Sequence, residues 1–188
     1  MCPVYIMKYL MTLPNKIILV GDKDQLVVGN CVDITSFPHY ELTENMRVKS
    51  LALERLVSHL SLSRQTQSIP DFKEHRGEHL EIVTDFSQFI HKVKECKDEH
   101  LVLAYRNTIV AKYNELVGEG ITVFKAQGQS VDTVFVDMTD IYSAYDQQKT
   151  KWNNPISLDE MLRMILVGMS RARHKIVVFY GKSRAKEK

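Results

Sequence analysis

Several features that would assign a protein to a class are missing from this sequence. The three cysteines, Cys2, Cys31 and Cys96, are too few for a disulfide framework and too far apart for a zinc pair, which predicts reduced thiols. No apolar run approaches the ~20 residues of a membrane span. The apolar start lacks the cationic lead of a signal peptide and is interrupted by Lys8. We therefore expect a soluble, intracellular protein with no membrane partner.

Charge and metal-ligand patterns are also weak. The formal net charge is only +2, so any site for nucleic acid or phosphate must be a local patch. His75 and His79 stand four residues apart, but Gly77 between them argues against a helical metal face. We interpret this stretch as a solvated loop, and no metal ligand is predicted in this chain.

The apolar pattern predicts an α/β fold. With 188 residues, 44% of them apolar, the chain can form one well-buried domain, or one domain and part of another. Strands that are apolar without alternation are typical of a parallel sheet covered by helices on both faces. The polar segment 139–157 is predicted to be a mobile loop. Strands are predicted at 17–20, 80–83, 101–105, 121–124, 133–138 and 175–180, and helices before Pro14 and near 50–61, 86–93, 109–117 and 158–169.

Four polar stretches stand at the ends of these elements, where parallel sheets collect their functional residues. Each has a plain structural explanation. Asp22 can cap a turn, Arg47 can be a surface charge, the arginines after the last helix can be a solvated basic end, and Gly128 can serve an ordinary loop. The stretches are LVGDKDQL (19–26), LTENMR (42–47), TVFKAQGQS (122–130) and VGMSRARHK (167–175).

Taken in this order, the four stretches resemble motifs III, IV, V and VI of superfamily 1 helicases. GDKDQL is similar to motif III, and LTENMR is similar to a motif IV that ends in arginine. TVFKAQGQSVDTVFV resembles motif V of the RecD-like branch, which includes the phage helicase Dda, and LVGMSRARHKIVVF resembles motif VI. LAYRNTIVAKYNEL fits the segment between motifs IV and V in that branch. The resemblance covers nearly the whole chain.

The resemblance implies a RecA-like helicase core of the P-loop NTPase type. Residues 1–45 would be the C-terminal remnant of a first RecA-like domain, carrying motif III. Residues 46–188 would be the second RecA-like domain, carrying motifs IV, V and VI. The implied function is the C-terminal part of an ATP-dependent helicase that translocates on single-stranded nucleic acid.

The resemblance also implies an ATP site between two lobes, with ATP and Mg²⁺ as cofactors. The catalytic set would be Arg47 and Arg171, which reach the γ-phosphate, and Gln25, which senses it. Arginine suits this role because its planar fork binds phosphate oxygens and stays charged, and phosphoryl transfer depends mostly on positioning and cationic stabilisation. The implied nucleotide-binding set is Gly21, Asp22, Gln25, Arg47, Gly128 and Arg171.

Motif V implies a contact with single-stranded DNA, with RNA left open. A turn that opens a helix offers free backbone amides to a phosphate, and Gly128 lets the backbone come close. Thr122, Lys125 and Gln127 can add hydroxyl, cationic and amide contacts. Phe124 stands where this branch often carries histidine, and its ring can stack on a base.

Two motifs of the family are missing. No Gly-x-x-x-x-Gly-Lys-Ser/Thr occurs, since Ile176 stands at the first glycine position before YGKS (180–183), and LDE (158–160) opens a helix rather than ending a strand. The resemblance therefore implies a chain that starts just after motif II. It would work with a partner chain, or a missing N-terminal half, that carries Walker A, Walker B and the Mg²⁺ ligands. We expect this chain alone to hydrolyse ATP negligibly.

Other hypotheses remain open. Only GEG (118–120) separates the fourth predicted helix from the next strand, where RecD-like relatives often insert a small β-barrel. Its loss leaves room for the branch that includes many RNA-virus helicases. The alternative function is a non-catalytic, single-stranded nucleic-acid-binding or regulatory module. A third hypothesis is a marginally folded remnant whose residues 1–45 expose apolar surface.

Overall fold

The computed structural model describes residues 4–21, 38, 40, 48–146 and 155–181. The chain divides into two compact units, Met1–Glu44 and Asn45–Lys188. In the first unit, helix α1 spans Val4–Leu10 and buries Met7. No helix among the described residues is long and apolar enough to cross a membrane.

The first unit corrects two predictions. The strand predicted at 17–20 does not form: residues 16–21 have no regular secondary structure, and Ile18 and Val20 are 86% and 93% exposed. An apolar strand needs neighbouring strands to take its backbone hydrogen bonds, and no strand in the described part of the chain pairs with this stretch. Val4, Met7 and Met11 recur at helical spacing and predict a core-facing helix that ends at Pro14; the helix forms, but Met11 lies beyond its end and is exposed.

The second unit is built on one parallel sheet of five strands in the order β1-β5-β4-β2-β3. This confirms the predicted α/β class with a parallel sheet, an arrangement consistent with a RecA-like domain. Its elements, in chain order, are α2 (Leu51–Gln65), β1 (Leu80–Val83), α3 (Phe86–Glu95), β2 (His100–Ala104), α4 (Asn107–Val117), β3 (Gly120–Thr122), β4 (Val131–Asp137), α5 (Met138–Tyr145), α6 (Leu158–Met169) and β5 (Ala172–Phe179).

Helices cover both faces of this sheet. On one face α3 and α4 enclose an aromatic core in which the Phe89 and Phe135 rings meet edge to face, with their centroids 5.8 Å apart. On the other face α6 is buried along nearly its whole length, and α2 packs against it. Helix α6 packs directly on the sheet at Gly168, where a Cβ would lie 3.5 Å from the Leu103 side chain of β2, an ordinary van der Waals contact. The unbroken apolar strands of the sequence are therefore explained by burial on two sides.

Polar side chains fix where these helices start. Ser50 before α2, Asp85 before α3 and Ser157 before α6 each accept a hydrogen bond from a backbone N–H of the first turn. At the other end of α4, Gly118 adopts φ 77°, a left-handed conformation that ends the helix.

Helix α5 contradicts the loop predicted at 139–157. Asp137 caps it, accepting a hydrogen bond from the Asp140 N–H at 2.9 Å, and Met138, Ile141 and Ala144 are buried. Three apolar residues at helical spacing are enough here because the end of the sheet supplies the surface they cover. The prediction was wrong for 139–145, and residues 147–154 lie outside the described part of the chain.

Candidate functional site

The predicted motifs divide between the two ends of the sheet. Because all five strands are parallel, their carboxyl ends lie together at one edge, which we call the carboxyl edge, and their amino ends at the opposite edge, the amino edge. Thr122 closes β3 at the carboxyl edge, and Arg171 directly precedes β5 at the amino edge. The turn 123–130 leads from the first edge to the second.

The turn that resembles motif V is held together by its own hydrogen bonds. Thr122 is buried. Its carbonyl oxygen accepts a hydrogen bond from the Ala126 amide at 3.1 Å, and its hydroxyl oxygen accepts one from the Lys125 amide at 3.3 Å. The amides that donate inside the turn are those of Lys125, Ala126, Gln127 and Gln129. The prediction of free backbone amides is therefore wrong at these positions, since a short turn must satisfy its own N–H groups.

What the turn offers to a ligand is its side chains. Lys125 is exposed, Phe124 and Gln127 are half-buried, and Val123 and Ala126 anchor the turn with no exposed surface. Gly128 has φ 84°, so the left-handed backbone favours glycine there, and the space where a Cβ would lie is empty. The turn is thus a rigid base that presents one cation, one aromatic ring and one open backbone position.

An aromatic pair borders the turn at the carboxyl edge. The rings of Phe124 and Tyr105, which follows β2, lie with their centroids 6.4 Å apart at an interplanar angle of 45°. Burial, followed by the carboxylates of Glu160 and Asp140, raises the pKa of the Tyr105 phenol, so the ring stays uncharged. This pair forms an apolar face beside the Lys125 cation.

Arg106, which follows Tyr105 in the sequence, connects the carboxyl edge to α5. The buried carboxylate of Asp140 accepts hydrogen bonds from the Tyr105 and Arg106 amides, at 2.8 and 2.9 Å, and pairs with the Arg106 guanidinium. A second guanidinium nitrogen donates to Ser143 Oγ at 3.0 Å. These contacts fix the loop that follows β2, and with it the orientation of the neighbouring aromatic pair.

Arg171, the predicted γ-phosphate ligand, is buried at the amino edge and only 3% exposed. Its Nε donates to the Val167 carbonyl and its Nη2 to Ser170 Oγ, both at 2.9 Å, while Nη1 lies 3.5 Å from the Gln129 carbonyl. The side chain therefore joins the end of α6 to the exit of the motif V turn. A role at a phosphate requires it to exchange some of these contacts.

The second arginine of SRARHK is held by carboxylates. Arg173 Nη1 lies 2.9 Å from Glu99 and 3.3 Å from Asp132, and its carbonyl accepts from the Lys49 amide at 3.3 Å. Lys49 is the second residue after Arg47 in the sequence, so the chain that follows LTENMR meets the amino edge beside SRARHK. Arg47, Asp22 and Gln25 themselves lie outside the described residues, and Gly21 has no regular secondary structure.

The structure adds a feature that the sequence prediction missed. A cleft of ≈ 700 Å³ opens at the carboxyl edge between α5, the ends of β1 and β5, and the segment 69–76. Tyr142 of α5 and Tyr180 after β5 meet there edge to face, with their centroids 5.6 Å apart. The helical spacing of 138, 141 and 144 could have predicted α5, but no local signal joins Tyr142, Tyr180 and the segment 69–76 in one cleft.

Comparisons with known proteins give limited information. No protein-family model matches the chain, and none of the curated proteins matches it. Among solved structures, the C-terminal domain of a possible DNA helicase from Lactobacillus plantarum WCFS1 matches with a TM-score of 0.45 and 10% identity, over 73% of this chain and 89% of that one. A likeness at this level says nothing about activity.

Proposed function

We propose that residues 46–188 form the second RecA-like domain of a superfamily 1 helicase and that its carboxyl edge holds single-stranded nucleic acid. On this proposal the amino edge faces the nucleotide. Residues 1–45 belong to the end of a first domain, and the Walker A and Walker B motifs lie on a partner chain or a further segment.

The observation that carries this proposal is the link between the stretches that resemble motifs V and VI. The Val131 amide donates to the Arg171 carbonyl at 3.1 Å, and the Arg171 side chain reaches the carbonyl of Gln129. The two stretches are about 40 residues apart in sequence and become neighbours only in the fold. This contact supports a shared role of the two stretches, because a shift of Arg171 towards a phosphate would change its contacts with the turn.

The side chains at the carboxyl edge support a strand-binding role. Proteins that bind single strands combine cations that follow the phosphates with aromatic rings on which bases stack, and both are sequence-tolerant. Lys125 supplies an exposed cation, and the Phe124–Tyr105 pair supplies the rings. Thr122 lends its hydroxyl to the turn, so its role is to shape the site rather than to contact the ligand.

The ATP chemistry rests on Arg171, Arg47 and Gln25, with Gly21, Asp22 and Gly128 as further nucleotide contacts. Arginines at the amino edge would stabilise charge on the transferred phosphoryl group, while the Walker-bearing half would bind ATP and Mg²⁺. This division of labour leaves the chain alone without measurable ATP hydrolysis.

A binding titration tests the strand-binding role. Fluorescence anisotropy of a labelled dT15 oligonucleotide should show saturable binding to the wild-type chain, with a logarithmic salt slope of about −0.7 for each phosphate contact. Lys125→Ala should weaken dT15 binding about three- to tenfold and reduce the magnitude of the salt slope by about 0.7. Lys112→Ala, which removes an exposed lysine of α4, is the matched control and should change neither quantity. Equal effects of the two variants would argue against the turn as the site.

The burial of Arg171 favours a second candidate, a non-catalytic binding module, because an arginine that is hydrogen-bonded to the Val167 carbonyl and to Ser170 Oγ does not need a nucleotide to explain it. Co-expression with a Walker-bearing RecD-like half separates the two. Rescued ATPase activity that Arg171→Lys abolishes, with normal circular dichroism and normal dT15 binding, supports the helicase. No rescue together with normal dT15 binding supports the module.

A further inference from the structure

The cleft at the carboxyl edge has the chemistry of a nucleic-acid site, although, apart from Val178, its lining residues lie outside the stretches that resemble helicase motifs. We propose that it binds unpaired bases of the same strand that contacts the motif V turn, with Tyr180 and Tyr142 facing the bases and Arg76 facing a phosphate. This inference rests on the proposed function and adds a second contact site to it.

The interior of the cleft suits a base. Ile82 of β1 and Val178 of β5 are paired in register and form an apolar floor at the end of the sheet. Tyr142 and Tyr180 stand at its side as an edge-to-face pair, and Tyr180 is 53% exposed. Burial, followed by Tyr180, raises the pKa of Tyr142 far above its ordinary value, so the Tyr142 phenol stays uncharged. Its volume of ≈ 700 Å³ is within the range of sites for small aromatic ligands.

The rim of the cleft carries the cations a phosphate needs. Arg76 lines the rim, is exposed, and has no carboxylate partner among the described residues. Lys73 stands on the same segment, with its Nζ 4.0 Å from the Asp71 carboxylate, a distance at which both groups remain hydrated. Asp146 adds a negative charge on the opposite side, next to α5. Asp71 and Asp146 balance the two lining cations in number, so Arg76 is the group best placed for a phosphate, and a strand would keep a phosphate beside it and its bases towards the tyrosines.

A continuous row of side chains connects the cleft to the motif V turn. Arg106 donates to Ser143, which lines the cleft, and the adjacent Tyr105 faces Phe124 of the turn. Strands β3 and β5 are three strand spacings apart, about 14 Å. One extended strand of a few nucleotides can span that distance, since grooves for single strands commonly hold several nucleotides at once.

Base stacking on Tyr180 predicts which substitutions weaken dT15 binding. Tyr180→Ala should weaken dT15 binding about fivefold or more, because an alanine cannot stack on a base. Tyr180→Phe, which keeps the ring and removes the hydroxyl, should bind within about twofold of wild type. Arg76→Ala should reduce the magnitude of the salt slope by about 0.7. The matched controls are Leu62→Ala and Arg55→Ala, which remove exposed side chains of α2 and should leave binding unchanged.

The same titrations separate this inference from the proposed function. If Lys125→Ala weakens binding and Tyr180→Ala does not, the turn is a strand site and the cleft inference is wrong. If the wild-type chain does not bind dT15, both proposals are refuted. A third arm uses dTMP alone: if it binds with a Tyr180 dependence that dT15 lacks, the cleft is a small-ligand site and the inference is also overturned. Photocrosslinking of an iodouracil-containing dT15 to a peptide with Tyr142 or Tyr180 would support the inference directly.

Discussion

The contacts of Asp140 predict a large effect from a nearly isosteric substitution. Its carboxylate accepts from the backbone amides of Tyr105 and Arg106 and from the Arg106 guanidinium, and the residue is only 2% exposed. Asp140→Asn removes the charge and turns an amide NH₂ group towards at least one of these donors. That leaves a part-buried donor without its acceptor.

The magnitude follows from these contacts. Hydrogen bonds to a charged group contribute about 1.5–3 kcal/mol, and breaking a fully buried ion pair costs about 3–5 kcal/mol. The Arg106 side chain is 26% exposed, so water recovers part of that loss. We expect Asp140→Asn to lower the free energy of unfolding by about 2–4 kcal/mol. This is a large part of the ~5–15 kcal/mol that stabilises an ordinary domain.

Urea unfolding followed by far-ultraviolet circular dichroism measures this change. The midpoint should fall while the slope m stays constant, since the folded architecture is unchanged. Asp71→Asn, at an exposed position, is the control and should shift stability by no more than about 0.5 kcal/mol. A double-mutant cycle with Arg106→Gln should show coupling above the ~0.5 kcal/mol expected of independent sites. A loss below about 1 kcal/mol, or strict additivity with Arg106→Gln, would refute this reasoning.

Three further predictions concern packing, backbone conformation and pH. Gly120→Ala should destabilise by about 1–3 kcal/mol because its Cβ would lie 2.8 Å from the Val110 carbonyl oxygen, whereas Gly77→Ala, with open space, should be neutral in the same urea assay. Gly128→Ala should lower the free energy of unfolding by about 1–2 kcal/mol because of the φ of 84°, and Gly128→Asn should lower it less. If the backbone at Gly128 must also approach a phosphate, both variants should weaken dT15 binding. Normal dT15 binding by both variants would exclude such an approach. Asp159 links α2 to α6: burial alone would raise its pKa, but Arg163 and Arg64 outweigh burial and lower it. The stabilisation that Asp159 provides is therefore complete above the unfolded pKa of ~3.9 and is lost as pH falls through the folded pKa. On acidification, wild type should lose up to about 1 kcal/mol more free energy of unfolding than Asp159→Asn. Parallel profiles of stability against pH for the two proteins would contradict this.

The sequence predicted the second unit well, for a physical reason. Strands buried on both faces must be apolar throughout, and helices that cover them must repeat their apolar residues at helical spacing, so β4, β5, α3 and α6 were all visible in the pattern. Helix α5 was missed because its three apolar anchors are separated by polar residues whose partners come from distant strands, such as the Arg106 that pairs with Asp140.

For the candidate site, the sequence predicted the turn but not the bonding within it or the neighbouring cleft. The turn 122–130 was recognised because a local pattern of Lys, Gln and Gly has few uses between two buried strands. Its backbone amides were expected to be free and are instead bonded within the turn, which only three-dimensional geometry reveals. The cleft was invisible because Phe72, Tyr142 and Tyr180 come from three distant segments. The strand predicted at 17–20 failed because an apolar run does not form a strand without pairing partners.

Hydrogen exchange read by mass spectrometry, with and without dT15, tests the central claim most directly because it reports which edge of the sheet the strand covers. The account predicts slower exchange in peptides covering 122–130, 105–108 and 138–146, at the carboxyl edge, and unchanged exchange at Glu99 and around Lys49, at the amino edge. Protection confined to the amino edge, or no protection at dT15 concentrations that saturate the anisotropy signal, would contradict the assignment of the carboxyl edge as the strand-binding side.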